Sequence, residues 1–233
     1  MMKGQSASPG IAIGTALLVS EEDPIIPHYL STFELEEARL GQAIGKSRNE
    51  LAILREKTRL NLGQKMAEIF EEQIKILQDS ELLKKTLKKI KAESVNAEYA
   101  LAAIYQRERD AGVRDVKERL LSTLLKKPTN ALENLSDPFI LIAREFTASQ
   151  TASLDRKKVL GLLSDNGEKT SSAALIAHTL KIPAVFGLQH ITTAIKNDDV
   201  VAFDGETGEV AINPSIEELE RYKRKEETPH LFR

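Results

Sequence analysis

The residues best placed to do chemistry lie in one run, Asp165-Asn166-Gly167-Glu168-Lys169-Thr170-Ser171-Ser172-Ala173-Ala174-Leu175-Ile176-Ala177. An apolar stretch leads into a glycine turn, a basic residue, three hydroxyls and then a helix-forming segment. A helix start presents backbone N–H groups that lack intrahelical partners, and its dipole favours an exposed anion by roughly 0.3–1 kcal/mol. Lys169 adds a positive charge beside them. The run reads as an anion-binding turn suited to phosphate. It also reads, with the better claim on these residues alone, as a helix whose Thr170 or Ser171 simply supplies the N-cap.

Few other residues compete for a chemical role. His28, His178, His190 and His230 have no metal-site spacing, so no metal site is expected. Zero cysteines exclude disulfide and thiolate chemistry. A net charge of −2 gives no electrostatic reason to expect nucleic acid or an anionic membrane as partner. The longest apolar runs, such as Phe139 to Ala143, are too short to span a bilayer, and Met1-Met2-Lys3-Gly4 does not open a signal peptide. A cytoplasmic protein is the expectation.

The elements that must position the run change character twice along the chain. After Ser8-Pro9-Gly10, large Ile11, Ile13, Leu17 and Val19 alternate with small Ala12, Gly14 and Ala16, which predicts a strand with something packed closely over it. Asp23 to Pro27 breaks that pattern with two prolines. From Ser31 to Leu125 the period becomes helical. One helix opens at Thr32 and a second near Gln64, restarting or kinking at an Asp79-Ser80 cap; Ser94 or Asn96 caps a third, and Val113 to Leu125 forms a fourth before Lys126-Lys127-Pro128. Beyond Asp137-Pro138 short strands and helices alternate. Strands are predicted at 139–143, 159–163 and 185–187, short helices at 147–154, 171–180 and 191–195, a hairpin across Asp204 to Gly208, and a charged helix at 216–227. The expected division is therefore an α/β unit from residues 1–20 and 137–214, a helical unit inserted at 31–130, and a terminal linker helix over 215–233.

Several stretches together resemble one family. Ala7-Ser8-Pro9-Gly10-Ile11-Ala12-Ile13-Gly14 is similar to the opening of Enzyme I, the phosphoenolpyruvate-protein phosphotransferase of the sugar phosphotransferase system. Asp165 to Gly187, ending Ile182-Pro183-Ala184-Val185-Phe186-Gly187, resembles its phosphohistidine segment. Lys196-Asn197-Asp198-Asp199 and Val210-Ala211-Ile212-Asn213-Pro214 are similar to its closing strands, and Ile69-Phe70-Glu71 and Val113-Arg114-Asp115-Val116 to its helical subdomain. The resemblance runs in order over nearly the whole chain. It implies a mixed α+β and α/β fold, a swivelling phosphohistidine domain carrying an inserted helical bundle. It also implies an acceptor that takes phosphate from phosphoenolpyruvate and passes it to the carrier HPr, docked on the helices. Gln73, Ile76, Leu82 and Arg114 are the candidate docking residues. Phosphoenolpyruvate and Mg²⁺ are expected only on a C-terminal barrel that is not among these residues, so no cofactor is expected here. Dimerisation belongs to that barrel as well, which leaves a monomer whose partners are an HPr-like carrier or the barrel.

The departures from the family pattern fall at the chemical centre. The acceptor-histidine position holds Ser172, a motif glycine is Glu168, and two following hydroxyl positions are Ala173 and Ala174. Lys169 replaces an arginine, while Gly167, Thr170, Ser171 and the site threonine Thr147 match. A serine hydroxyl needs a base, and its phosphate ester is too stable to pass on; a histidine phosphoramidate is a high-potential donor. His178, six positions on, is a poor substitute. Gln64, Lys65 and Ser80 stand where the family often has acids facing a basic carrier. The expectation is a module degenerate for transfer that keeps a partner-binding or regulatory role. The alternatives are a transferase fragment using a non-histidine or unanticipated acceptor, and a purely structural domain.

Overall fold

The computed structural model describes residues 1–19, 25–79, 81–105, 110–126 and 137–227. The expected break at Asp23-Pro24, the cap at Ser80, the helix stop at Lys127-Pro128, and His230 lie outside them. Contacts divide the chain into two units, Met1–Glu21 with Asn134–Arg233, and Glu22–Glu133.

In the first unit, eight strands form one mixed sheet: β1 (Met2–Lys3), β2 (Gln5–Ser8), β3 (Ile11–Leu18), β4 (Phe139–Ala143), β5 (Val159–Ser164), β6 (Ala184–Phe186), β7 (Val200–Asp204) and β8 (Glu209–Ile212). Their spatial order is β1-β8-β7-β3-β4-β5-β6-β2. The run β3-β4-β5-β6 is parallel and the flanking pairs are antiparallel. The first expected strand thus lies beside strands from the far end of the chain, Thr15 opposite Phe139 and Ile11 opposite Asp204.

The ends of this order are β1 and β2, which a single residue, Gly4, separates in sequence. Lys3 and Gln5 are therefore no more than about 7 Å apart, so the sheet must curl until its two edges meet. Closure removes the open edges that would otherwise pair with other chains. The seam needs glycine. A Cβ on Gly4 would stand 2.7 Å from the Phe186 carbonyl, and one on Gly208 2.3 Å from the Gly4 carbonyl. Instead the Gly4 N–H donates to the Gly208 carbonyl at 2.9 Å. Residues 2–8 were not expected as strands; they are short, largely polar and have no alternating apolar signal.

Strand β3 shows what its alternation does. Small Ala12 and Ala16 face an interior filled by Ile140, Ile142, Leu163, Val185 and Phe203, with Ile191 and Ile195 beside them. Ile11 and Ile13 pack instead against Ala202, Ala211, Tyr222 and Leu219, beneath the terminal helix Ile216–Glu227. That helix is pinned by Lys225, whose Nζ donates to Asp204 Oδ2 at 2.7 Å. Burial pushes the Asp204 carboxyl up, but Lys225 and the Thr207 and Glu206 N–H groups outweigh it and hold it below the ordinary 3.8. The hydrogen bond to Asp204 raises Lys225 above 10.5.

The second unit holds α1 (Phe33–Leu62), α2 (Gln64–Asp79), α3 (Glu81–Glu93), α4 (Ala97–Tyr105) and α5 (Ala111–Leu124) among its described residues. Helices α1 and α2 form a hairpin around Gly63, and α1 buries Leu40, Ala43, Ser47, Leu51, Leu54 and Thr58 along one face. Thr32 stands at the N-cap of α1 as expected, although its side chain makes no capping bond. Asn96 precedes α4 but does not cap it. Its amide binds the Pro27 carbonyl at 2.9 Å and Glu98 at 3.0 Å, and its oxygen accepts from the Tyr29 N–H. The helix start is instead met by Glu36 Oε2, which accepts from the Ala97 N–H at 2.9 Å. Arg39 ties Glu36 to Glu98, both carboxylates being almost wholly buried. Burial would lower the Arg39 guanidinium, but Glu98 and then Glu36 hold it raised.

Candidate functional site

Parallel strands end in the same direction, and loops beyond their carboxyl ends are where α/β folds, open or closed, place ligands. The carboxyl ends of β4, β5 and β6 lead into three loops, at residues 144–147, 165–171 and 187–190. The polypeptide laces them together. The Asn166 N–H donates to the Arg144 carbonyl at 2.8 Å, and the Gln189 N–H donates to the Asp165 carbonyl at 2.9 Å. Asp165 is buried, and its carboxylate accepts the Thr192 N–H at 3.1 Å and the Thr192 hydroxyl. Gly167 takes φ +108°, in the left-handed half of the map, with the Phe186 side chain below it. Phe186 in turn meets Phe146, at 5.8 Å between ring centroids.

Two helices begin on this edge. Thr147 caps α6 (Ala148–Ser153) in a full capping box: its hydroxyl accepts the Gln150 N–H at 3.1 Å, and Gln150 Oε1 accepts the Thr147 N–H at 3.0 Å. Ser171 caps α7 (Ser172–Leu180), its hydroxyl accepting the Ala174 N–H at 3.2 Å and its carbonyl the Leu175 N–H at 3.0 Å. The two helices pack together, with Ala173, Ala174, Ile176 and Ala177 buried. Of the two residues that sequence left open as the cap, Ser171 is the one that serves.

Thr147, Lys169, Thr170 and Ser172 therefore share the carboxyl edge of the sheet. Glu168, Lys169 and Thr170 are exposed and Ser172 is half-buried at the first position of α7. Among the described residues no base hydrogen-bonds the Ser172 hydroxyl, and the Ser172 and Ala173 N–H groups have no acceptor. The site thus offers two backbone donors and Lys169 to an anion, set against the carboxylate of Glu168. It does not offer an activated nucleophile. His178 lies exposed in the last turn of α7. No group of three or more His, Cys, Asp or Glu among the described residues could hold a metal ion. Sequence reasoning missed the Thr147–Gln150 box, legible in principle as a threonine three residues before glutamine. It also missed the Asp165–Thr192 lock, whose partners are 27 positions apart.

The candidate docking residues lie in the helical unit. Gln73 and Ile76 are on α2, Leu82 on α3 and Arg114 on α5. Gln73 was expected at a partner surface, yet it is 1% exposed. Its amide donates to Asp115 Oδ2 at 2.8 Å, so it joins α2 to α5. A polar residue on an amphipathic helix usually faces water; here a carboxylate on the next helix draws it inward. Ile76 and Arg114 are half-buried.

Comparison with known proteins places this geometry first in a broad class. The model for the N-terminal region of PEP-utilising enzymes matches residues 3–111, and that for their mobile domain matches residues 135–208. A solution structure of an Enzyme I protein, nEIt, superposes with a TM-score of 0.74 at 36% identity, covering 97% of this chain and 98% of that one. The chain belongs to the Enzyme I family. It is 38% identical to the phosphoenolpyruvate-protein phosphotransferase of Priestia megaterium and 37% identical to that of Bacillus subtilis. Each comparison takes in 96% of this chain but only 42% of the relative, so the chain spans less than half of those proteins. The N-terminal domain of Enzyme 1 – Nitrogen shares the fold at a TM-score of 0.60 and 23% identity. Among the described residues no helix is long and apolar enough to cross a membrane.

Proposed function

We propose that this chain is an Enzyme I module that has lost phosphoryl relay and keeps a partner-binding role. The observation that carries the reading is Ser172. It sits at the family's acceptor position, on a well-formed helix start, and among the described residues no base hydrogen-bonds its hydroxyl. A phosphate ester formed there would be too stable to donate onward, and Glu168 beside it opposes an incoming phosphate. The sheet unit corresponds to the family's swivelling phosphohistidine domain. The helical unit corresponds to its docking surface for an HPr-like carrier, with α2, α3 and α5 forming the face and Gln73 holding α2 to α5. Phosphoenolpyruvate and Mg²⁺ would be held by a separate barrel and not by these residues.

The test is incubation with labelled phosphoenolpyruvate, a competent Enzyme I barrel and HPr. No acid-labile label should appear on this chain and none should reach HPr through it. Restoring Ser172→His together with Glu168→Gly should bring acid-labile label back. Acid-labile phosphate on the unaltered chain would overturn the degenerate reading, and complete absence of HPr binding at millimolar concentration would remove the carrier as partner.

A further inference from the structure

Helix α3 is rich in lysine. Its 13 residues contain five lysines against two glutamates, a net of +3, whereas the whole protein carries −2. Lys85, Lys88, Lys89 and Ala92 stand at i, i+3, i+4 and i+7, so they share a stripe. With Glu93 and with Ile104 of α4 they line an open groove between the two helices. Exposed Ala92 and half-buried Ile104 contribute its aliphatic surface, and the lysines its positive charge.

Lys85, exposed, pairs with Glu81 at 3.0 Å one helical turn away, a pair that contributes little and is readily replaced by another carboxylate. Lys89, with 21% of its side chain exposed, is held by both Glu93 oxygens and lies 5.7 Å from the Tyr99 ring centroid, so it is the more fixed of the positive charges. Lys88 is exposed and has no ion pair among the described residues. The preceding helix α2 carries Glu68, Glu71, Glu72 and Asp79 against Lys65 and Lys75, so it does not share the lysine-rich character of α3.

We infer that this groove is a docking site for an acidic protein segment. Its carboxylates would pair with Lys85, Lys88 and Lys89 while one aliphatic side chain covers Ala92 and Ile104. The inference rests on the reading of the helical unit as a docking module and adds an acidic class of partner beside the basic carrier. Charge complementarity of this kind sets encounter rate and partner choice more than it sets affinity.

The test uses the 233-residue chain and a fluorescein-labelled synthetic peptide with glutamates along one helical face beside a leucine stripe. Its all-glutamine counterpart serves as comparison. The acidic peptide should bind about tenfold more tightly than the glutamine one, and the difference should shrink as salt is raised. Lys85→Glu with Lys88→Glu should abolish the difference, while Glu71→Lys with Glu72→Lys on α2 should preserve it. All four side chains are substantially exposed or half-buried at helix surfaces, and circular dichroism checks that the variants fold. Equal binding of the two peptides, or indifference to the α3 reversal, would overturn the proposal. So would a single-stranded oligonucleotide that binds more tightly than the acidic peptide through the same lysines. A parallel HPr titration separates the two readings. Peptide binding without HPr binding removes only the carrier, and HPr binding without peptide binding removes only the acidic-segment proposal.

Discussion

The two units of this protein are held together by different physics. The central cluster of the sheet unit is apolar, its buried carboxylates Asp165 and Asp204 stand at strand ends, and its special requirement is steric: two backbones meeting at Gly4 and Gly208. The helical unit buries two hydrogen-bonded polar sets, Glu36, Glu98 and Asn96 around Arg39, and Gln73 with Asp115. Its register depends on polar groups finding one another. A closed sheet fixes its own geometry through the backbone, whereas packed helices can slide or rotate unless side chains specify a position. Buried polar contacts, costly when mispaired, supply that specification here.

The contrast can be broken most sharply at the seam. Gly208→Ala places a Cβ 2.3 Å from the Gly4 carbonyl in a residue with φ +77°. Strain and overpacking together should cost about 4 kcal/mol, read as a fall in the denaturant midpoint. Gly63→Ala, also at positive φ but in open space, should cost about 1 kcal/mol. Equal losses at the two glycines would mean that close approach does not control closure.

Next in size is Arg39→Ala, which leaves the buried Glu36 and Glu98 carboxylates uncompensated. Breaking such a pair costs about 3 kcal/mol, the low end of the usual range because Arg39 keeps 30% of its side chain in water. Gln73→Leu should cost about 2 kcal/mol by removing a donor from the Asp115 carboxylate. Pairing it with Asp115→Leu should return part of that loss in a double-mutant cycle.

The smallest effect belongs to the pin on the terminal helix. Asp204 is held below 3.8, so its contribution is present above that pH and is lost as pH falls through the lowered value. Lys225 is raised above 10.5, so its contribution is present below that pH and is lost as pH rises through the raised value. Lys225→Met should therefore cost about 0.5 kcal/mol across the middle of the pH range, discounted because the lysine is 38% exposed. Thermal midpoints of variant and parent should converge at both extremes.

Much of this architecture was legible because its signals are local. Leu40, Leu51 and Leu54 gave α1 its period, Ile11 and Ile13 gave β3 its alternation, and Ser171 stood at a helix start with strand and glycine turn before it. What escaped depends on distance. Gln5 and Ser6 have no apolar face, and they become strand only because β6 supplies partners 180 residues later. Asn96 has the chemistry of a cap but is captured by Pro27 and Tyr29. Gln73 has the chemistry of a surface residue but is captured by Asp115. At the site, the helix start and its hydroxyls could be read directly, while the lacing of three loops through Arg144, Asp165 and Gln189 could not.

The closed sheet also sets a timetable. Strands β1 to β3 leave the ribosome early, but their partners begin at Phe139 and the seam needs Gly208. At about 5–20 residues per second these first strands wait roughly 10–40 s for the last of those partners. The helical unit is a continuous stretch, Glu22–Glu133, and can settle during that wait. Its own hairpin brings distant parts of the chain closer and shortens the loop that the sheet must close. Nascent chains arrested after residue 133 should accordingly show protease-resistant helices and an exposed amino terminus; resistance of both together would contradict that order. On this schedule the inserted helices assist in assembling the closed sheet whose strands β3 and β4 they separate in sequence.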